Sequence, residues 1–139
     1  LALRLQQGPQ ALTHMWSHDL KFQAGYVVSF FEKELQHHFV VEEKVLFPLV
    51  VQHVKEAQTI VDELVADHRM VESFVKKFCD LDVSTLSHDL NEFGKLLELH
   101  IRKEDRQLFP LFEAKAPAAV LEKAVKEIQD YYPAHSERR

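Results

Sequence analysis

Apolar residues recur along this chain at helical spacing. In a first long run, Phe31, Leu35, His38, Glu42, Val45 and Leu49 follow one another in alternating steps of four and three, the seam of a helix packed in a bundle. A second run gives Val61, Leu64, His68, Val71, Val75 and Phe78 on the same spacing, and a third gives Phe93, Leu97, His100, Glu104, Leu108 and Leu111. The loop and cap before that third run fall in residues 80–87. An earlier helix is less regular: Pro9 suits a first turn, and Ala11, Met15, His18 and Phe22 share a face. The pattern predicts an all-α protein, an up-down-up-down four-helix bundle spanning about residues 9–115. Pro117 restarts a shorter helix, about residues 117–132, with Leu121, Ala124, Val125, Ile128 and Tyr132 as its apolar stripe. This extra helix caps the bundle or faces a second copy in a homodimer, and residues 133–139 read as a frayed tail.

The first hairpin is tight. His68 and His100 stand 32 positions apart, but His18 and His38 only 20. Either the turn falls near Ala24 and Gly25, or a loop after Asp19 is missing from the chain.

Composition narrows the class without changing the fold. The 139 residues form one domain, and 46% hydrophobic with 28% charged residues is the balance of an ordinary globular protein. A net charge of -5 with no basic block argues against nucleic acid as a partner. The uncharged stretch near residues 24–31 is too short for a membrane span, and residues 1–8 do not resemble a cleavable signal, so a cytoplasmic location is expected. Cys79, the single cysteine, excludes intrachain disulfides, iron-sulfur clusters and thiolate zinc sites.

Nine histidines are the anomaly, because several occupy seam positions. They belong to an internal repeat: residues 38–49 and 100–111 both read H-x-x-x-E-(E/D)-x-x-L-F-P-L, offset by 62 positions. A helix turns about 100° per residue, so His38 and Glu42 share a face, as do His100 and Glu104, whereas Glu43 and Asp105 lie about 140° from those histidines and read as solvent-facing or outer groups. With His18 and His68, four histidines and two carboxylates converge on the middle of the bundle. Burying unpaired charges costs several kcal/mol each, and a bound cation removes that cost. Imidazole and carboxylate without thiolate suit iron, with zinc or manganese as substitutes, and carboxylates bridge ions, so a dinuclear site is expected. Ferritin-like di-iron proteins use Glu-x-x-His instead, which makes a ferritin-like oxidase or iron-releasing repair protein the alternative. A bundle braced by one structural metal is the other.

At these residues the chain resembles the hemerythrin-like (HHE cation-binding) family, over roughly residues 12–112. The two H-x-x-x-E helices with their Leu-Phe-Pro endings carry the likeness. Residues 16–19 resemble the family's first-helix ligand segment, and residues 63–68 the third-helix one. The resemblance implies an oxo-bridged di-iron centre that binds oxygen, or in other members serves iron sensing, nitric-oxide response or iron supply. The chain departs from the oxygen carriers in two places. One turn either side of His68 stand Leu64 and Glu72, not a second histidine, and the carriers' fourth-helix carboxylate corresponds to Asp105, whereas the repeat favours Glu104. His14 and Glu72 are the further candidates to complete the shell. His37, His53, His88 and His135 read as surface groups, Trp16 and Tyr26 as core, and the Leu-Phe-Pro segments as packing and helix-ending elements. No sequence sign marks a substrate cavity, so a module that binds iron and a small gas is favoured over an enzyme.

Overall fold

The computed structural model describes residues 20–80 and 83–130, and all of its regular elements there are helical. Helix α1 (Leu20–Phe30), a π segment π1 (Phe31–Leu35), α2 (Gln36–Val41), π2 (Glu42–Leu46) and α3 (Phe47–His53) join without a break into one long rod. Val54 leaves the helix at φ -136°, a 3-10 turn follows at Lys55–Ala57, and α4 (Gln58–Asp80) forms the second rod. The third rod is α5 (Val83–Lys103), π3 (Glu104–Leu108) and α6 (Phe109–Lys115). Ala116 then adopts the extended backbone that a following proline demands, and α7 (Ala118–Asp130) ends the described chain. Among the described residues the fold is four packed helical rods, the last one short.

Two apolar clusters hold the rods together. One joins Ala24, Val27, Phe31 and Leu35 of the first rod to Val71, Val75 and Phe78 of the second and Leu86, Leu90, Phe93 and Leu97 of the third. The other joins Leu46, Val50 and Val54 to Ile60, Val61 and Leu64 and to Leu108 and Phe112, with Ala124 of α7 laid over it. The first rod therefore runs from cluster one to cluster two, the second runs back, and the third repeats the direction of the first. Every seam residue named for the first and second rods is buried, and in the third only Leu111 is not.

Three local expectations are corrected. Ala24 and Gly25 lie inside α1, so the first hairpin does not turn there. Burial of Ala24 and Val27 outweighs the roughly 1 kcal/mol that a helical glycine costs. Phe22, which the pattern assigned to the earlier helix, belongs to this rod and is half exposed. The expected first helix otherwise falls outside the described residues, as does the junction after Asp19. The loop expected over residues 80–87 is shorter, because α5 begins at Val83.

Most consequential are the Leu-Phe-Pro segments. They do not end their helices: the first rod continues past Pro48 to His53, the third past Pro110 to Lys115. Proline has no N–H to give and its ring crowds the carbonyl four residues back. The rods absorb this by widening into π turns, in which the Phe47 N–H donates to the carbonyl of Glu42 and the Phe109 N–H to that of Glu104. The extra residue also shifts the apolar phase, which is why Phe112 is buried rather than Leu111.

Candidate metal centre

Between the two apolar clusters lies a polar layer. His38, Glu42, Asp67, His68, His100 and Glu104 are all buried, His68 completely so. Each rod contributes at the level where its seam passes from one cluster to the other. On the first and third rods the carboxylate is also the first residue of a π turn, so the Leu-Phe-Pro motif anchors the backbone directly beneath Glu42 and Glu104.

The inner atoms crowd together. Ligand-type atoms of Glu42, His68 and His100 lie within 4.8 Å of one another, and so do those of His38, Glu42 and Glu104, which makes Glu42 common to both groups. His68 Nε2 is 2.9 Å from Glu42 Oε1, and His100 Nε2 is 3.7 Å from Glu104 Oε1. His38 Nε2 approaches Glu42 Oε2 to 2.9 Å, but neither atom has hydrogen-bonding geometry. Among the described residues, five buried atoms are without a hydrogen-bond partner: both ring nitrogens of His38, Glu42 Oε2, His100 Nε2 and Glu104 Oε2. Each orphaned buried polar group costs about 1–3 kcal/mol, and all five belong to the four residues of the internal repeat. Unsatisfied lone pairs aimed inward from imidazole and carboxylate are the donor set that a borderline or hard divalent cation satisfies, so the residues fit a metal.

The two carboxyls respond to this crowding in opposite directions. Burial pushes Glu104 well above the usual carboxylate range, and the negative charge of Glu42 beside it adds to the rise. Burial pushes Glu42 the same way, but the charge of His38 and the donors facing its carboxylate outweigh it and hold Glu42 well below that range. Of the pair, Glu104 is therefore the carboxyl that takes up a proton first as pH falls.

Aromatic rings wall the layer. The Phe39 ring stacks on His68 with centroids 3.8 Å apart and meets His100 edge-on at 6.0 Å, and Phe47 stacks on His68 at 5.8 Å.

An outer set of charged groups lies behind the imidazoles. His68 Nδ1 is 2.7 Å from Glu43 Oε2, and the Arg69 guanidinium also donates to Glu43. His100 Nδ1 is 3.1 Å from Asp67 Oδ2, to which Lys103 Nζ donates at 3.0 Å. Burial raises the Asp67 pKa, but hydrogen bonds from His100 and Lys103 more than compensate and leave it lowered. Asp67 was not singled out from the sequence. The signal was there, since Ile60, Leu64, Asp67, Val71 and Val75 are all buried at helical spacing and three of them belong to the His68 seam itself.

Of the residues expected from the sequence, the structure thus brings together His38, Glu42, His68, His100 and Glu104. His18 and His14 lie outside the described residues. Glu72 is not brought in: it is more than a third exposed and pairs with Arg69 at 3.1 Å. Asp105 is half-buried and acts on the centre through its charge, which helps to raise Glu104. His53 and His88 are exposed, His37 is half-buried, Cys79 is exposed, and His135 lies outside the described residues.

Comparison with known proteins returns one family. The sequence model of the hemerythrin HHE cation binding domain matches residues 4–112 and, in a second match, residues 59–132. No curated protein and no solved structure matches.

Proposed function

The chain belongs to the hemerythrin HHE cation-binding domain family, and from that premise we propose that it is a non-haem di-iron module that senses oxygen or nitric oxide or handles iron. One observation carries the reading: two buried groups of three ligand residues share Glu42, and buried polar atoms of His38, Glu42, His100 and Glu104 have no hydrogen-bond partner among the described residues. In this reading His68, His100 and Glu42 would hold one ion and His38, Glu104 and Glu42 the other, with Glu42 common to both groups. His18 is the candidate further ligand. Iron is the resident ion, with zinc or manganese able to substitute.

An iron pair supplies redox chemistry and vacant coordination positions for a diatomic ligand. The chain's own residues do the rest. Phe39 and Phe47 exclude water from the imidazoles and hold their planes. A ligand carboxyl must be ionised, so metal loading would work against the raised pKa of Glu104 and make uptake depend on pH. On α4 the positions one turn from His68 are Leu64, which is buried in an apolar cluster, and Glu72, which is engaged by Arg69. That leaves the second rod with a single imidazole and favours sensing or iron handling over simple oxygen carriage.

The test is the visible spectrum of anaerobically iron-loaded protein as air, and separately nitric oxide, is admitted. New ligand-to-metal absorption that reverses when the gas is withdrawn supports gas binding. Irreversible oxidation with air and no nitric-oxide signal favours iron handling or an oxidase, and no response to either gas refutes the gas-binding half of the proposal.

A further inference from the structure

Two histidines of the centre are held from behind in the same way by residues that the internal repeat does not relate. From His100 on the third rod, Nδ1 meets Asp67 Oδ2 of α4 at 3.1 Å, and Lys103, one turn on from His100, reaches the same oxygen at 3.0 Å. From His68 on α4, Nδ1 meets Glu43 Oε2 of the first rod at 2.7 Å, and Arg69 clasps that carboxylate from the surface. Each motif is an imidazole, a carboxylate from the neighbouring rod and a cation at the rim.

A carboxylate only accepts hydrogen bonds, and a neutral imidazole carries one N–H. Facing Asp67, the proton of His100 sits on Nδ1 and the lone pair on Nε2. That Nε2 is one of the unsatisfied buried atoms and points toward Glu104. With the opposite tautomer, His100 would set a lone pair against an ionised oxygen and turn an N–H to the place where a cation belongs. We propose that Asp67 and Glu43 are positioning residues: Asp67 locks His100 with Nε2 turned to the metal, Glu43 fixes the ring of His68 from behind, and Lys103 and Arg69 hold the two carboxylates in place. The inference rests on the metal reading above. It adds two carboxylates and two cations to the centre, none of them a ligand. Such partners orient the ring and strengthen it as a donor, and their loss typically costs 10–100-fold in metal affinity.

The experiment has two readouts. Two-dimensional 1H–15N correlation of histidine-labelled, metal-free protein reports the tautomer of His100, and titration with Zn(II) or anaerobic Fe(II) reports affinity. The wild type is expected to show His100 in the Nδ1–H form. Asp67→Ala should scramble that form and weaken metal binding by about 10–100-fold, while Asp67→Asn, which keeps an acceptor, restores the tautomer and most of the affinity. Glu43→Ala should weaken binding comparably but leave the His100 tautomer untouched. Lys103→Met, which removes only the outer cation, guards against misfolding of Asp67→Ala and should weaken binding without abolishing it. An unaltered His100 tautomer in Asp67→Ala together with wild-type affinity would overturn the proposal. A wild type that binds no metal, yet shows the tautomer and its loss in Asp67→Ala, would refute the metal centre and leave the positioning role standing.

Discussion

Glu104→Gln should make the metal-free protein more stable and the metal-binding protein useless, and the two effects come from the same carboxyl. The inner oxygens of Glu42 and Glu104 lie within 4.8 Å of each other. At an effective dielectric constant near 20, two unit charges at that distance repel by about 3.5 kcal/mol. In the metal-free chain burial and this repulsion lift the Glu104 pKa well above the ordinary 4.5 and favour its protonated form. The folded state then binds a proton that the unfolded state releases, so stability falls as pH rises from that ordinary value through the raised one. Glu42 acts in the opposite sense, its contribution being present above the ordinary value and lost as pH falls through its lowered pKa. Glutamine keeps the shape of Glu104, carries no charge, and donates an amide N–H to Glu42 at any pH. In chelator-treated protein at pH 8 the variant should therefore gain on the order of 1–3 kcal/mol, a rise of several degrees in Tm for a domain of this size. Its stability should also vary less between pH 5 and pH 8 than that of the wild type. With excess metal the order reverses: the wild type gains about 2.7 kcal/mol at a free concentration one hundred times Kd, and the variant, lacking a ligand carboxylate, gains far less. Calorimetric melts of both proteins at the two pH values, with chelator and with Fe(II) or Zn(II), read all of this at once. A metal-free variant that melts below the wild type at pH 8, with a parallel pH dependence, would refute the reasoning.

Three further outcomes follow from the same geometry. His100→Ala removes an imidazole from the group of Glu42, His68 and His100, so bound metal per chain and the metal-dependent rise in Tm should fall together, and retention of both would count against that group. Asp105→Ala should leave metal content near that of the wild type, because Asp105 lies outside both groups of candidate ligands and acts on Glu104 through its charge, whereas loss of metal in this variant alone would move the fourth-helix ligand to the oxygen-carrier position. Gly25→Ala should stabilise the protein by about 0.5–1 kcal/mol in chemical denaturation, since the residue is helical and an added Cβ meets nothing within 4 Å, and a destabilised variant would contradict the unbroken first rod.

The repeat made the polar layer legible before any coordinates, because His38 with Glu42 and His100 with Glu104 interrupt seams that are otherwise apolar, and His68 does so alone. What escaped the sequence is physically specific. Proline reads as a stop when only the four-residue ladder is considered, yet a π turn lets the rod pass through Pro48 and Pro110 with its backbone bonded to the carbonyls of Glu42 and Glu104. Gly25 reads as a turn residue, but local preference yields to burial of its neighbours Ala24 and Val27. Asp67 reads in the sequence as one more helix carboxylate beside His68, and it gains a role only once His100 and Lys103 of another rod stand against it. Glu43, placed by angle on the outer side of its own helix, proves to face the histidine of the next rod.

The account depends most on Glu42 serving two ions. Metal-free protein should be titrated with Fe(II) under anaerobic conditions and the bound metal counted per folded chain, in the wild type and in Glu42→Ala. Two irons per wild-type chain, with the variant losing both rather than one, is the predicted result. A single tightly held ion in the wild type, or a variant that still retains one, would contradict a centre built around a shared carboxylate and leave a bundle braced by one metal.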